Sequence, residues 1–207
     1  MKHIFLGLML LAVSFGFSQT EMTGAEVAIF KKEIQNKAKK TTSITADFQE
    51  TKHVSVLKNA SVATGIFRLK GEKLLWQYNE PKKNAMLFIK NQLKIKNDKG
   101  KVTTIDLTKN RRFRQLQQLM VGSYNGDLFD EQAFDIAYFK KSSEKIAVLK
   151  PKNKNMSKHM KEVVLTFKNN EQTVSEIKIV ESSNDYSVIT LKNKKLNVAI
   201  NENVFQL

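Results

Sequence analysis

The side chains able to ionise, ligate a metal or attack a substrate are few, and none has a catalytic spacing. Beyond residues 1–18 the chain carries two histidines, His53 and His159, and no cysteine. The two histidines do not form a His-x-x-x-His pair, so structural roles are expected for them and no metal site. Without cysteine there is no thiol nucleophile, no thiolate site and no disulfide. Asp127, Asp130, Glu131 and Asp135 crowd one stretch, but the Asp-x-Asp-x-Asp-Gly order of a calcium loop is missing. Paired carboxylates can cleave glycosides, yet sequence gives no separation, and such clusters are ordinarily solvated loops. The nucleophile elbow, the penicillin-binding motif set, the phosphate-binding glycine loop and the dinucleotide fingerprint are all missing. Neither catalysis nor a cofactor is expected.

What the sequence has in excess is large apolar side chains on alternating positions. Residues 65–81, GIFRLKGEKLLWQYNEP, read as two strands joined at Gly71-Glu72-Lys73. Phe67 and Leu69 share one face of the first strand; Leu74, Trp76 and Tyr78 share one face of the second. Arg68, Lys70 and Gln77 occupy the other face and suit water. Phe48, Met86 and Phe88 extend the apolar set on neighbouring strands. These eight residues are the candidate lining of a hydrophobic cavity. A barrel closed and packed on itself is the competing arrangement, and periodicity does not separate the two.

Several elements must hold that set in place. Residues 1–18 form a short basic start, an apolar run from Ile4 to Val13, and small residues Gly16 and Ser18 before Gln19, the layout of a cleaved secretory signal peptide. The run is too short to span a membrane, which takes roughly 20 apolar residues. Thr23-x-x-Glu26 is a capping box that starts a helix, with Val27, Phe30, Ile34 and Ala38 on one face and Lys37, Lys39 and Lys40 at its end. Strands follow from Ile44. Residues 109–121 return to helical spacing, with Phe113, Leu116 and Met120 on one side as a candidate lid and Gly122 as its C-cap. From Phe134 to Ile200 strands recur between Ser-, Asn- and Asp-rich turns, as in an antiparallel meander. The expectation is one α+β domain over residues 19–207: an incomplete, open antiparallel β-barrel, or strongly curved sheet, with a helical lid.

The chain has 35 Lys and Arg against 20 Asp and Glu, a formal net charge of +15, or +14 once Lys2 leaves with the signal peptide. That balance favours anionic partners, but the lysines are spread along alternating strands, where charged outward faces are the ordinary finding. A basic envelope module binding anionic glycolipid or polysaccharide is therefore the alternative function. Nucleic acid is not an expected partner.

The order of these features resembles a known family. A signal peptide, a capped helix, Asp47-Phe48-Gln49, Gly65-x-Phe67-x-Leu69-Lys70, Trp76-x-Tyr78-x-x-Pro81, Leu149-x-Pro151 and Asn197-x-x-Ile200…Phe205 together look like the outer-membrane lipoprotein carriers, the LolA family. The resemblance implies an incomplete barrel covered by helices and a periplasmic chaperone. Such a chaperone receives acylated lipoproteins from an inner-membrane lipoprotein-releasing ABC transporter complex. It delivers them, as a monomer, to an outer-membrane acceptor or the membrane itself. It also implies that Leu74 and Trp76, with Phe67, Leu69 and Tyr78 in phase, face the acyl chains. One departure is clear. The family's Lys-Arg-Pro, whose arginine latches the lid, is replaced by Lys70 followed directly by Gly71, and Arg68 lies on the opposite face from Phe67 and Leu69. The energetics suit a carrier, since each buried CH₂ contributes about 0.8 kcal/mol and long acyl chains do not cross water unaided.

Overall fold

Residues 19–110, 114, 117, 121–122, 128–168 and 171–207 are described in a computed structural model. One antiparallel sheet dominates them. Its strands are β1 (Thr20–Glu21), β2 (Ser43–His53), β3 (Ser61–Lys70), β4 (Lys73–Glu80), β5 (Asn84–Ile89), β6 (Gln92–Lys96) and β7 (Val102–Asp106), then β8 (Phe134–Lys141), β9 (Glu144–Pro151), β10 (Met160–Lys168), β11 (Glu176–Glu181) and β12 (Tyr186–Leu196). They lie in the order β1-β8-β9-β10-β11-β12-β2-β3-β4-β5-β6-β7. Most neighbours are consecutive hairpins; the long-range joins are β1 against β8 and β12 against β2, the latter with Ile189 opposite Glu50 and Leu191 opposite Phe48. β1 and β7 end the sheet at either side, so among the described residues it is a curved, open sheet and not a closed barrel. The expected fold class is the one observed.

Helix α1 (Gly24–Lys39) begins as its sequence dictates. The Thr23 hydroxyl accepts from the Glu26 backbone, and the Glu26 carboxylate accepts from Thr23 N at 2.9 Å. These bonds satisfy two donors that every helix start leaves free. Phe30, Ile34 and Ala38 are buried along its inner stripe, and Lys145 and Lys140 on the sheet pair with Glu33 and Glu26 on its outer side.

The turn between β3 and β4 is tight, with Lys70 opposite Lys73 and Gly71 at φ +56°, a value glycine reaches without steric cost. Gly65 on β3 has a different role. A Cβ there would sit 2.0 Å from the Gln77 carbonyl oxygen and 2.5 Å from Phe48 Cζ. Only glycine lets the Phe48 ring lie across the strand, where it meets Trp76 at a centroid distance of 4.5 Å and Tyr78 at 5.1 Å.

Three expectations need correction. Leu196–Ile200 is not a separate strand: β12 runs on to Leu196, Asn197 turns the chain with φ +58°, and the tail leaves the sheet. That tail, with a 3-10 turn at Glu202–Phe205, covers the outer face of the β4–β5 hairpin. Leu75, Leu87 and Ala85 are buried there beneath Ile200 and Phe205, so this face is not simply a water-facing one. Gly122, expected to cap a helix, is itself helical, as are Arg114, Gln117 and Val121. A short helix, α2 (Lys154–Ser157), stands between β9 and β10 on an Asn153 cap.

Candidate apolar cavity on the inner face

The inner face of the sheet is filled from two sides. Around α1, Phe30 and Ile34 pack with Phe134, Tyr138, Ala147, Leu149, Leu165 and Phe167. Around β2–β6, Ile44, Phe48, Phe67, Leu69, Leu74, Trp76, Phe88 and Leu93 pack with Leu107 and Val121. Ile177 and Ile179 touch both groups. The seam they mark is incompletely filled.

A cavity of about 280 Å³ opens at that seam. Its wall is built from alternate residues of six strands: Trp76 and Tyr78 on β4, Met86 on β5, Val163 and Leu165 on β10, Ile177 and Ile179 on β11, Ser187 and Ile189 on β12, and Glu50 and Lys52 on β2. Alternate positions share one face of a strand, so register alone brings these side chains together. β3 contributes no side chain to this wall; its in-phase position is Gly65, which the Phe48 ring packs against. A smaller cavity of about 40 Å³ shares Trp76, Leu165 and Ile177 and adds Ile44, Phe67, Val174, Leu191 and Lys194.

The polar groups lie as pairs. Tyr78 Oη donates to Glu50 Oε2 at 2.7 Å. Burial, then the neighbouring Glu50 carboxylate, drives the Tyr78 pKa well above its usual value, so it stays a neutral donor. Lys52 Nζ reaches Glu181 Oε1 at 2.9 Å, and that hydrogen bond raises the lysine pKa. Lys194 is held by Glu171, the Thr173 and Val174 carbonyls and the Ser175 hydroxyl; its pull on Glu171 lowers that carboxyl's pKa. The Trp76 indole nitrogen stands apart from these pairs. Trp76 is 3% exposed, and its Nε1 has no hydrogen-bond partner among the described residues. Hydrogen bonding between the indole and Tyr78 opposes the rise of the phenol pKa, although the contact falls outside normal hydrogen-bond geometry. A buried donor without an acceptor costs about 1–3 kcal/mol.

The eight candidate lining residues fall into two sets. Trp76, Tyr78 and Met86 line the larger cavity, and Phe67 and Trp76 the smaller. Phe48, Leu69, Leu74 and Phe88 line neither of these two; they are buried at 2% exposure or less in the packing behind the wall. The lid positions Phe113, Leu116 and Met120 lie outside the described residues. Most of the wall is absent from the candidate set; of its apolar residues, Val163, Leu165, Ile177, Ile179 and Ile189 come from the late strands. Their signal is the same alternation, as in Glu176-Ile177-Lys178-Ile179, which marks strands without saying which of them border a void.

His53 stacks on Tyr186 at 4.4 Å between ring centroids, and no three acidic or histidine side chains among the described residues gather into a metal site. No described helix is long and apolar enough to cross a membrane.

The comparisons agree with this architecture. No curated protein matches the chain. Among solved structures, a complex of Pseudomonas aeruginosa MucA/MucB aligns with a TM-score of 0.51 at 9% identity, over 86% of this chain and 61% of that one. An outer membrane lipoprotein-sorting protein domain from Vibrio parahaemolyticus aligns at 0.48 and 11% identity, over 88% and 95%. A LolA superfamily protein from Nitrosomonas europaea aligns at 0.46 and 13% identity, over 86% and 97%. The sequence profile of the outer membrane lipoprotein carrier protein LolA matches residues 39–207, from the end of α1 to the last residue. The chain is a member of the LolA family.

Proposed function

We propose that the chain is a periplasmic carrier for acylated lipoproteins, with the seam cavity taking an acyl chain. The observation that carries this reading is a void of about 280 Å³ on the inner face of the sheet, walled mainly by Trp, Met, Ile, Leu and Val, with Tyr78, Glu50, Lys52, Glu181 and Ser187 as its polar groups. Proteins rarely leave such space unfilled, because voids forfeit dispersion contacts on every side. The wall is non-directional and polarizable, so it binds chains of differing length and still lets them go. In volume it stands at the lower limit of ligand pockets, roughly 300–1,000 Å³. That suits one chain in this conformation. A triacylated cargo requires the two groups of packing to part further along the seam that Ile177 and Ile179 mark.

On this reading residues 1–18 are removed on export, residues 19–207 act as one domain and as a monomer, and no catalysis is involved. The donor is an inner-membrane ABC transporter complex, and the recipient an outer-membrane acceptor or the membrane itself. Mass spectrometry of the native protein under gentle ionisation tests it directly. Bound acylated cargo, retained at high salt, is the expected result. Salt screens exposed charges within about 10 Å at 0.1 M, so binding that collapses as salt rises would favour an anionic glycolipid held by surface lysines and overturn the acyl reading.

A further inference from the structure

The two ends of the sheet differ in what their turns carry. The antiparallel order puts the β2–β3 loop (residues 54–60) at one end, with the turns at residues 81–83, 97–101 and 182–185 and the connection at residues 152–159. Lys52 and Glu181, the partly exposed rim of the cavity, lie at that end too. Large apolar side chains are seldom exposed among the described residues, yet two neighbours in the β2–β3 loop are: Val56 at 87% and Leu57 at 58%. The loop is held at its base. Ser55 N donates to Asp185 Oδ1 at 2.8 Å, Leu57 N donates to the Val54 carbonyl at 2.9 Å, and His53 stacks on Tyr186. Its tip thus carries Val56 and Leu57 out into solvent. Around it stand Lys58, Lys83, Lys99, Lys101, Lys154 and Lys158, all exposed and none in an ion pair among the described residues. The turns Gly71-Glu72, Lys90-Asn91 and Ser142-Ser143 at the opposite end have no such surplus.

The residue types narrow the partner. Protein–protein interfaces are depleted of lysine and rich in aromatic residues and arginine, and the five connections at this end contain no Arg, Phe, Tyr or Trp. Dispersed lysines suit the headgroups of an anionic bilayer, and aliphatic side chains suit the boundary beneath them. Resting on the acyl-carrier reading, we propose that the β2–β3 loop docks the protein on an anionic lipid surface, with Val56 and Leu57 inserted and the cavity rim turned toward the bilayer. An acyl chain leaving past Lys52 and Glu181 then enters lipid without crossing water.

Vesicles of phosphatidylethanolamine with phosphatidylglycerol, and vesicles of phosphatidylcholine alone, are the probes. The exported protein should float with the anionic vesicles, detach as salt rises and ignore the neutral ones. Val56→Ser combined with Leu57→Ser should weaken that binding about tenfold or more, the scale of partly burying two aliphatic side chains. Tm, and affinity for monopalmitoylglycerol in vesicle-free solution, should not change, because both side chains are exposed. The chain has no cysteine, so Val56→Cys takes a single environment-sensitive dye. Its emission should shift to the blue on anionic vesicles and be quenched by spin labels on the lipid chains. The same dye at Ile29→Cys, exposed on α1, should show neither change. A dye at position 56 that stays in water, an equal response at position 29, or vesicle binding that survives the double substitution would overturn the docking loop and leave the carrier reading intact. Failure to bind bare anionic vesicles would do the same and point to a protein receptor. Failure of the natural protein to bind monopalmitoylglycerol in solution would overturn both.

Discussion

Tyr138 and Trp76 are both aromatic, both nearly inaccessible, and both carry a donor with no acceptor among the described residues. Their surroundings differ. Tyr138 stands in an aromatic cluster with Phe30 at 6.3 Å and Phe129 at 5.4 Å, and Phe30 closes edge-on against Phe167 at 5.1 Å. Burial raises the Tyr138 pKa, and the residue borders neither described cavity. Trp76 borders both. In a filled region an orphan donor is a cost that aromatic packing outweighs. Along the seam the Trp76 ring instead stands beside unfilled space. One sheet thus carries two kinds of interior: a densely packed one under α1, and an underfilled one along the seam.

The largest test of that division is Phe30→Ala. Removing a ring that is 1% exposed should cost about 3–5 kcal/mol in urea unfolding, with acyl-lipid affinity unchanged for the molecules that remain folded. A parallel fall in affinity would mean that the two interiors are one cooperative unit. A paired enlargement sharpens the contrast. Ala147, fully buried in the densely packed group, has no room to grow, so Ala147→Leu should lose about 1–3 kcal/mol. Ile179 faces the void. Ile179→Phe should be neutral or stabilise by up to about 2 kcal/mol, as cavity-filling changes do, and should reduce lipid binding several-fold. If Ile179→Phe destabilises as much as Ala147→Leu, the seam is not open in solution.

The contrast also explains what is legible in the sequence. The capping box and the Phe30-Ile34-Ala38 stripe specify α1, because helix starts and helix faces are local. Alternation marks the strands, and turn residues mark most of their limits. Phe67, Leu69, Leu74 and Trp76 lie on the apolar inner face, as their alternation indicates. What period two cannot say is which inward residues meet a neighbour and which meet space. Leu74 and Trp76 are two apart on one strand, yet Leu74 is fully buried against the packing and Trp76 borders the cavity. The difference is set by how β10–β12 curve back across β2, a long-range pairing that no local pattern encodes. The tail illustrates the same limit. Leu75 reads as the minority apolar residue on a polar face, and only the return of Ile200 and Phe205 buries it.

That tail supplies the smallest effect, and one confined to the outer face. Glu202 accepts from Lys73 and pairs with Lys70 at 2.8 Å, while Lys70 also holds the Ile200 carbonyl at 3.1 Å. The hydrogen bonds from Lys70, then Lys73, lower the Glu202 pKa from 4.5 to about 2. A carboxyl that is more acidic folded than unfolded stabilises the fold above its unfolded pKa and loses that contribution as pH falls toward its folded one. The tail clasp should therefore weaken between pH 4.5 and about 2. Glu26, held by Lys140 and Thr23, is lowered to about 2 as well and acts in the same window from the α1 side. Glu202→Gln should flatten the fall of Tm with acid in part, and adding Glu26→Gln should flatten it further. Because neither carboxylate borders the cavity, lipid affinity at neutral pH should not change with either substitution. An unaltered acid slope in Glu202→Gln would show that apolar contact alone holds the tail, and a lost affinity would show that the outer face and the seam are coupled through β4.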